Sequence, residues 1–240
     1  MNNKYNCSGV DENGSTWSTT GFVIESEEDA SKHYLFFIEG PILSISQYTD
    51  VFSVLRKATE DDVVELSVTS GGGDLFVSEV FSNELARCEA HIHFVVDAEL
   101  ASGATTWLMR ADSYEIDDNA SFLFHESAYS VPQVTSSEVV DYVKHSEVVG
   151  TGWLTKYYSE FFTEEEMNKV KKGYQMHLTG KQVKERLDLL QQENNKKKEE
   201  IDSQLKEFET QQTLSELGYN DLKDLLKAAQ QEVKKRKELQ

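Results

Sequence analysis

Proline is almost missing from this chain: Pro41 and Pro132 are the only two in 240 residues. Nothing therefore breaks a long helix by removing its N–H or clashing with the preceding turn. Cysteine is as scarce. Cys7 and Cys88 show no metal-ligand spacing, which excludes a cysteine-built metal centre and argues against a structural disulfide, as expected in a reducing compartment. No apolar run approaches a membrane span, and the opening MNNKYNCSGVDENGST lacks the apolar core of a signal peptide. The expectation is a cytoplasmic protein with no membrane partner.

Basic residues are also few. Lys and Arg number 24 against 43 Asp and Glu, for a net charge of −19, which argues against nucleic acid or an anionic membrane as a nonspecific partner. The deficit is uneven. Residues 181–240 carry 13 of each sign, so the whole acidic excess lies in 1–180, and the texture changes near 180. With 38% hydrophobic residues and a mean hydropathy of −0.54, part of the chain is expected to be a solvated helix or tail.

What is present is a strand–helix alternation. Residues 1–30 are polar and read as an N-terminal arm, flexible or a loosely ordered hairpin. YLFFIEGPI (34–42), DVVELSVTS (62–70) and HIHFVVDA (91–98) read as strands. Between them lie helical patterns over 47–59 and 74–87, the second capped by Asp74. SYEID and SFLFHES (121–127) read as a short strand pair. Residues 135–162 read as one long helix, followed by another that Thr163 caps from Glu164. This order predicts an α/β fold with parallel strands, whose sites form at the strands' carboxyl ends.

From about 181 the pattern Leu187, Leu190, Asn194, Ile201, Leu205 and Phe208 suits a marginal coiled coil. Gly218 and Asn220 would end one helix and cap the next, whose apolar face is Leu222, Leu225 and Leu226. The expected domains are the 1–30 arm, an α/β unit over 31–190, and a charged helical extension over 191–240. That extension is read as a self-association or docking arm.

Two of the strand ends carry chemistry-bearing residues. Gly71-Gly72-Gly73 follows the second strand, and ELASGATTWLM (99–109) follows the third, with Ser102 at its turn. A serine hydroxyl attacks only when a base takes its proton, and His125 is a natural base because imidazole titrates near neutral pH. Taken singly, Ser102 reads better as a helix cap and His125 as a polar strand-end residue. Their order and spacing say more: Ser102 lies 29 residues past Gly73, and His125 lies 23 past Ser102.

From about 34 to 190 these motifs resemble the Clp protease proteolytic subunit and its phage-encoded relatives, the head-maturation proteases. FFIEGPI is similar to that family's first strand and turn, VTSGGGDL to its Gly-Gly turn, ELASGATTWLM to its nucleophile turn, and FLFHES to its histidine strand. The resemblance implies the spiral fold shared with crotonases, with 135–162 as a protruding handle helix. It implies a serine endopeptidase acting on polypeptide, without cofactor or metal, in a homo-oligomeric ring or stacked rings. Ser102 would be the nucleophile, His125 the base, and the Gly73 and Gly103 amides the oxyanion hole. A bacterial or phage-infected cytoplasm would be the setting, with an ATPase, scaffold or portal partner reached through the C-terminal arm.

The chain departs from that pattern at the third triad position. EEEMNKVKKGYQMHLTGKQ (164–182) places Gln175 where the family has Asp when aligned on Leu178-Thr179, and Tyr174 when counted from His125. Gln175, Asn168 or a backbone carbonyl would be a neutral orienter, and Asp141 is the displaced carboxylate to weigh. The family's Gly-Leu-Ile-Asp ending reads ERLDLL here, and its N-terminal unfoldase-contacting loop is not recognisable. A fold-retaining subunit with an impaired triad is therefore the alternative. A crotonase-fold acyl-CoA enzyme would need basic residues for nucleotide phosphates, which the acidic 1–180 does not favour. His91 and His93 alternate on one strand face and read as ordinary strand positions, and His145 as an exposed residue of the handle helix.

Overall fold

Alternating burial organises three strands that run side by side: β3 (Lys32–Glu39), β4 (Val63–Thr69) and β5 (His91–Val96). Phe36, Ile38, Val64, Leu66, Phe94 and Val96 all point to one face and are buried there, as the two-residue period of a strand requires. In the computed structural model, residues 2–11, 14–25, 31–128, 135–216 and 227 are described. The chain divides into two compact units, Met1–Leu187 and Asp188–Gln240.

The first unit is mixed α/β. Its larger sheet has six strands in the order β1-β2-β3-β4-β5-β7, where β1 is Asn2–Val10, β2 is Thr16–Glu25 and β7 is Ser113–Ile116. From β3 through β7 the strands are parallel, as the alternation predicts, whereas β1 and β2 pair antiparallel. A second sheet, β6-β8-β9, joins Glu99–Ala101, Ser121–Phe124 and Met176–Thr179.

The helices among the described residues are α1 (Thr49–Leu55), α2 (Leu75–Leu85), α3 (Thr105–Leu108), α4 (Ser136–Tyr158), α5 (Glu164–Val170) and α6 (Gly180–Glu216). Asp74 caps α2 by accepting from the Val77 N–H at 2.9 Å. Thr163 and Glu166 form a capping box on α5.

Two aromatic clusters hold the elements that matter below. Phe81 of α2 stacks on Trp107 of α3 at 4.0 Å between ring centroids, with Tyr48 edge-on to both. Phe124 at the end of β8 meets Tyr158, Phe161 and Phe162 at 5.2–5.4 Å. Each such pair adds about 0.5–1.5 kcal/mol beyond the area it buries.

Three expectations need correction. Of the two readings of residues 1–30, a flexible arm or a loosely ordered hairpin, the hairpin holds for the described residues, but it does not stand apart from the sheet. It extends the large sheet, with Thr19 and Val23 buried. SYEID and the 121–127 strand do not pair with each other: β7 adds to β5 in the large sheet, and β8 lies between β6 and β9. The unit boundary falls after Leu187 rather than at 190. In the second unit, Ile201 and Leu205 are exposed on a continuous helix. The expected helix restart around 219–229 lies outside the described residues, apart from residue 227. No helix of the described residues is long and apolar enough to cross a membrane.

Candidate active site

Ser102 is the one non-glycine among the described residues with positive φ, at 54°. An L-residue pays about 1–2 kcal/mol for that left-handed conformation. It sits where β6 ends and a 3-10 turn, Ser102–Ala104, leads into α3. On the strand side, the Ala101 N–H donates to the Ser70 carbonyl at 2.8 Å, and Ser70 N–H donates to Glu99 at 3.0 Å. On the helix side, Gly103 is packed so tightly that a Cβ there would stand 2.3 Å from the Ser78 hydroxyl. The chain therefore turns sharply at Ser102 and presents its side chain outward, half-buried.

The triple glycine lies against this turn. Gly72 (φ 87°) has no room for a Cβ, which would fall 2.6 Å from both the Ala101 carbonyl oxygen and the Ser102 Cβ. Gly73 forms a parallel bridge with Ile42. The bonds of that bridge run from Ile42 N–H to the Gly72 carbonyl (2.9 Å) and from Asp74 N–H to the Ile42 carbonyl (2.8 Å). The Gly73 N–H is thus not consumed by the bridge and turns to the other side of the strand. Gly103 lies in the first turn of its helix, where N–H groups have no intrahelical acceptor. Gly73, Ser102 and Gly103 line one cavity of about 590 Å³.

His125, directly after β8, completes the approach: its Nε2 is 2.9 Å from Ser102 Oγ. β6 and β8 are parallel neighbours, with Ala101 opposite Leu123, so the two strands deliver their next residues to the same end of the small sheet. The far wall of the cavity is one stripe of α4, Tyr142, His145, Ser146, Val149 and Trp153, at the three- and four-residue spacing of a helix face. Phe76, exposed at the start of α2, also lines the cavity. A polar pair of one hydroxyl and one imidazole thus opens into a largely apolar recess.

The fold brings Ser102, His125, Gly73 and Gly103 together; among the described residues it brings no orienter to His125. Carrying the β8–β9 register one step past Phe124↔Met176 sets Gln175 across from His125, yet Gln175 is exposed and makes no hydrogen bond to it. Tyr174, Asn168 and Asp141 are exposed and make none either. Among the described residues, Ser102 is the hydrogen-bond partner of His125. His91 and His93 both meet the Ser113 hydroxyl, at 2.7 and 2.8 Å, and no group of three or more metal-ligating side chains is found among the described residues. His145 is exposed as expected, but it also lines the cavity.

Sequence reasoning missed the α4 wall and two hydroxyls next to the Ser102 turn, Thr105 and Tyr158. The wall was signalled by the apolar and aromatic stripe 142–153 in an otherwise polar helix. Thr105 and Tyr158, 2.6 Å apart, carry no comparable signal. No protein-family model matches this chain, and no curated protein matches it.

Proposed function

We propose that the chain is a serine endopeptidase of the Clp proteolytic-subunit type, with that family's spiral fold and a ring-shaped assembly. The observation that carries the reading is the 2.9 Å contact of Ser102 Oγ with His125 Nε2, made by a serine held at positive φ beside two glycine amides. Ser102 Oγ attacks the peptide carbonyl carbon while its proton passes to His125 Nε2. The oxyanion so formed is held by the Gly73 and Gly103 N–H groups, the kind of preorganised donors that lower such barriers most. His125 returns the proton to the leaving amine, and an acyl-serine remains. Water, deprotonated by the same imidazole, then releases the acid and restores Ser102. The apolar recess along α4 receives substrate side chains. Cytoplasmic action, in bacteria or during phage prohead maturation, follows from the resemblance alone, as does any ATPase, scaffold or portal partner.

Quenched fluorescent peptides with varied apolar residues test this. Cleavage by the wild-type protein, abolished by Ser102→Ala and reduced at least about 10³-fold by His125→Ala, is the expected result.

A second reading is favoured by one observation: no group among the described residues orients His125 from Nδ1. It is a Clp-like structural subunit with an impaired site. Unchanged biological function of the Ser102→Ala variant would support it over the first.

A further inference from the structure

We propose that Thr105 and Tyr158 are positioning residues that aim the Gly103 N–H at the reacting carbonyl. This rests on the peptidase reading above and adds what holds its second oxyanion donor. The Ser102 carbonyl and the Gly103 N–H belong to one peptide unit. Because that unit is planar and trans, the two groups point in opposite directions, and fixing one fixes the other.

The Ser102 carbonyl is fixed twice. It accepts from the backbone N–H of Thr105, which it shares with the Gly103 carbonyl, and from the Thr105 hydroxyl at 2.6 Å, so both lone pairs of the oxygen are engaged. A threonine hydroxyl has a single proton, and here it goes to Ser102. The 2.6 Å contact between Thr105 Oγ1 and Tyr158 OH must then be donated by the phenol. Tyr158 is buried, and burial pushes its phenol well above the ordinary tyrosine range, so the proton stays available for donation.

A threonine bonding back to a carbonyl three residues earlier is common in helices. Two features set this one apart. The peptide it clamps carries the donor N–H and follows a strained residue, and the rotor is locked from behind by a hydroxyl at the end of α4, 53 residues away. The same α4 supplies the cavity wall through Val149 and Trp153. The Tyr158–Thr105–Ser102 chain thus ties the wall and the oxyanion donor to one another.

The test uses the full chain as wild type, Thr105→Val, Thr105→Ser and Tyr158→Phe. Saturation kinetics with a fluorophosphonate give a limiting acylation rate and a half-saturation concentration, and 1H–15N spectra follow the Gly103 amide. Thr105→Val is expected to lower the limiting rate about tenfold, less than the loss of an oxyanion donor outright, with the half-saturation concentration unchanged. Thr105→Ser should restore it, and Tyr158→Phe should lower it by a smaller factor. The Gly103 resonance should move in Thr105→Val and return in Thr105→Ser. A wild-type rate and an unmoved Gly103 amide in Thr105→Val would overturn the proposal. Should that variant not fold, Tyr158→Phe carries the same comparison. An inert wild type would sink the peptidase reading instead, and the Gly103 amide alone would then decide whether Thr105 positions it.

Discussion

A single residue carries the largest local conflict between stability and chemistry. Ser102 stands at φ 54°, where glycine is at ease and any Cβ is strained. Ser102→Gly should therefore be more stable than Ser102→Ala by about 1 kcal/mol, the reverse of their order at an ordinary helical position. Urea titration of the two variants checks this, and equal midpoints would mean that the turn is not strained. The residues of the Ser102–His125 contact were legible because each type is needed for acyl transfer and each follows a strand. Thr105 and Tyr158 were not. A threonine in a helix and a tyrosine in an aromatic segment look the same whether or not their hydroxyls meet, and only the packing of α4 on the Ser102 turn brings these two to 2.6 Å.

At the scale of elements, caps and alternation could be read from the sequence, and pairing could not. β3, β4 and β5 announce themselves by alternating burial, and Asp74 and Thr163 by capping chemistry that depends on a few neighbouring residues. β6 and β9 are three and four residues long, and only their partners make them strands. That the polar hairpin β1–β2 joins the large sheet is hidden for a different reason: just one of its faces is covered, and its Thr, Ser and Asn residues resemble those of a loop. Between α5 and α6, Arg186 forks onto Glu166 with bonds of 2.8 and 3.0 Å, and this holds the Glu166 carboxyl at about 2, down from 4.5. A depressed folded-state value means stability that is present above the unfolded value and lost as pH falls from about 4.5 towards 2. Arg186→Met should cost about 1–2 kcal/mol at pH 7. The gap to wild type in denaturant unfolding should shrink through that acid window. A gap independent of pH would show that the arginine acts by packing on Phe161 and Phe162 rather than by charge.

For the whole molecule, the N-terminal hairpin is part of the sheet that supports the site. β2 covers the edge of β3, and Tyr5 packs on Phe36 at 5.7 Å between centroids. Removing residues 1–25 would leave β3 as a bare edge with an uncovered aromatic, so the truncated chain should aggregate on expression. A soluble product with wild-type circular dichroism would show that the hairpin is dispensable. The acidic excess of 1–180 and the neutral, charge-rich texture of 181–240 were legible from composition. Where the first unit ends, and that its first strands lie in its main sheet, depends on contacts between residues far apart in sequence. The account as a whole turns on whether Ser102 is a nucleophile activated by His125. Intact mass after fluorophosphonate treatment tests this most directly. One adduct per wild-type chain is predicted, with none on Ser102→Ala or His125→Ala; a folded wild type that takes up no label, or a label that persists on Ser102→Ala, would contradict it.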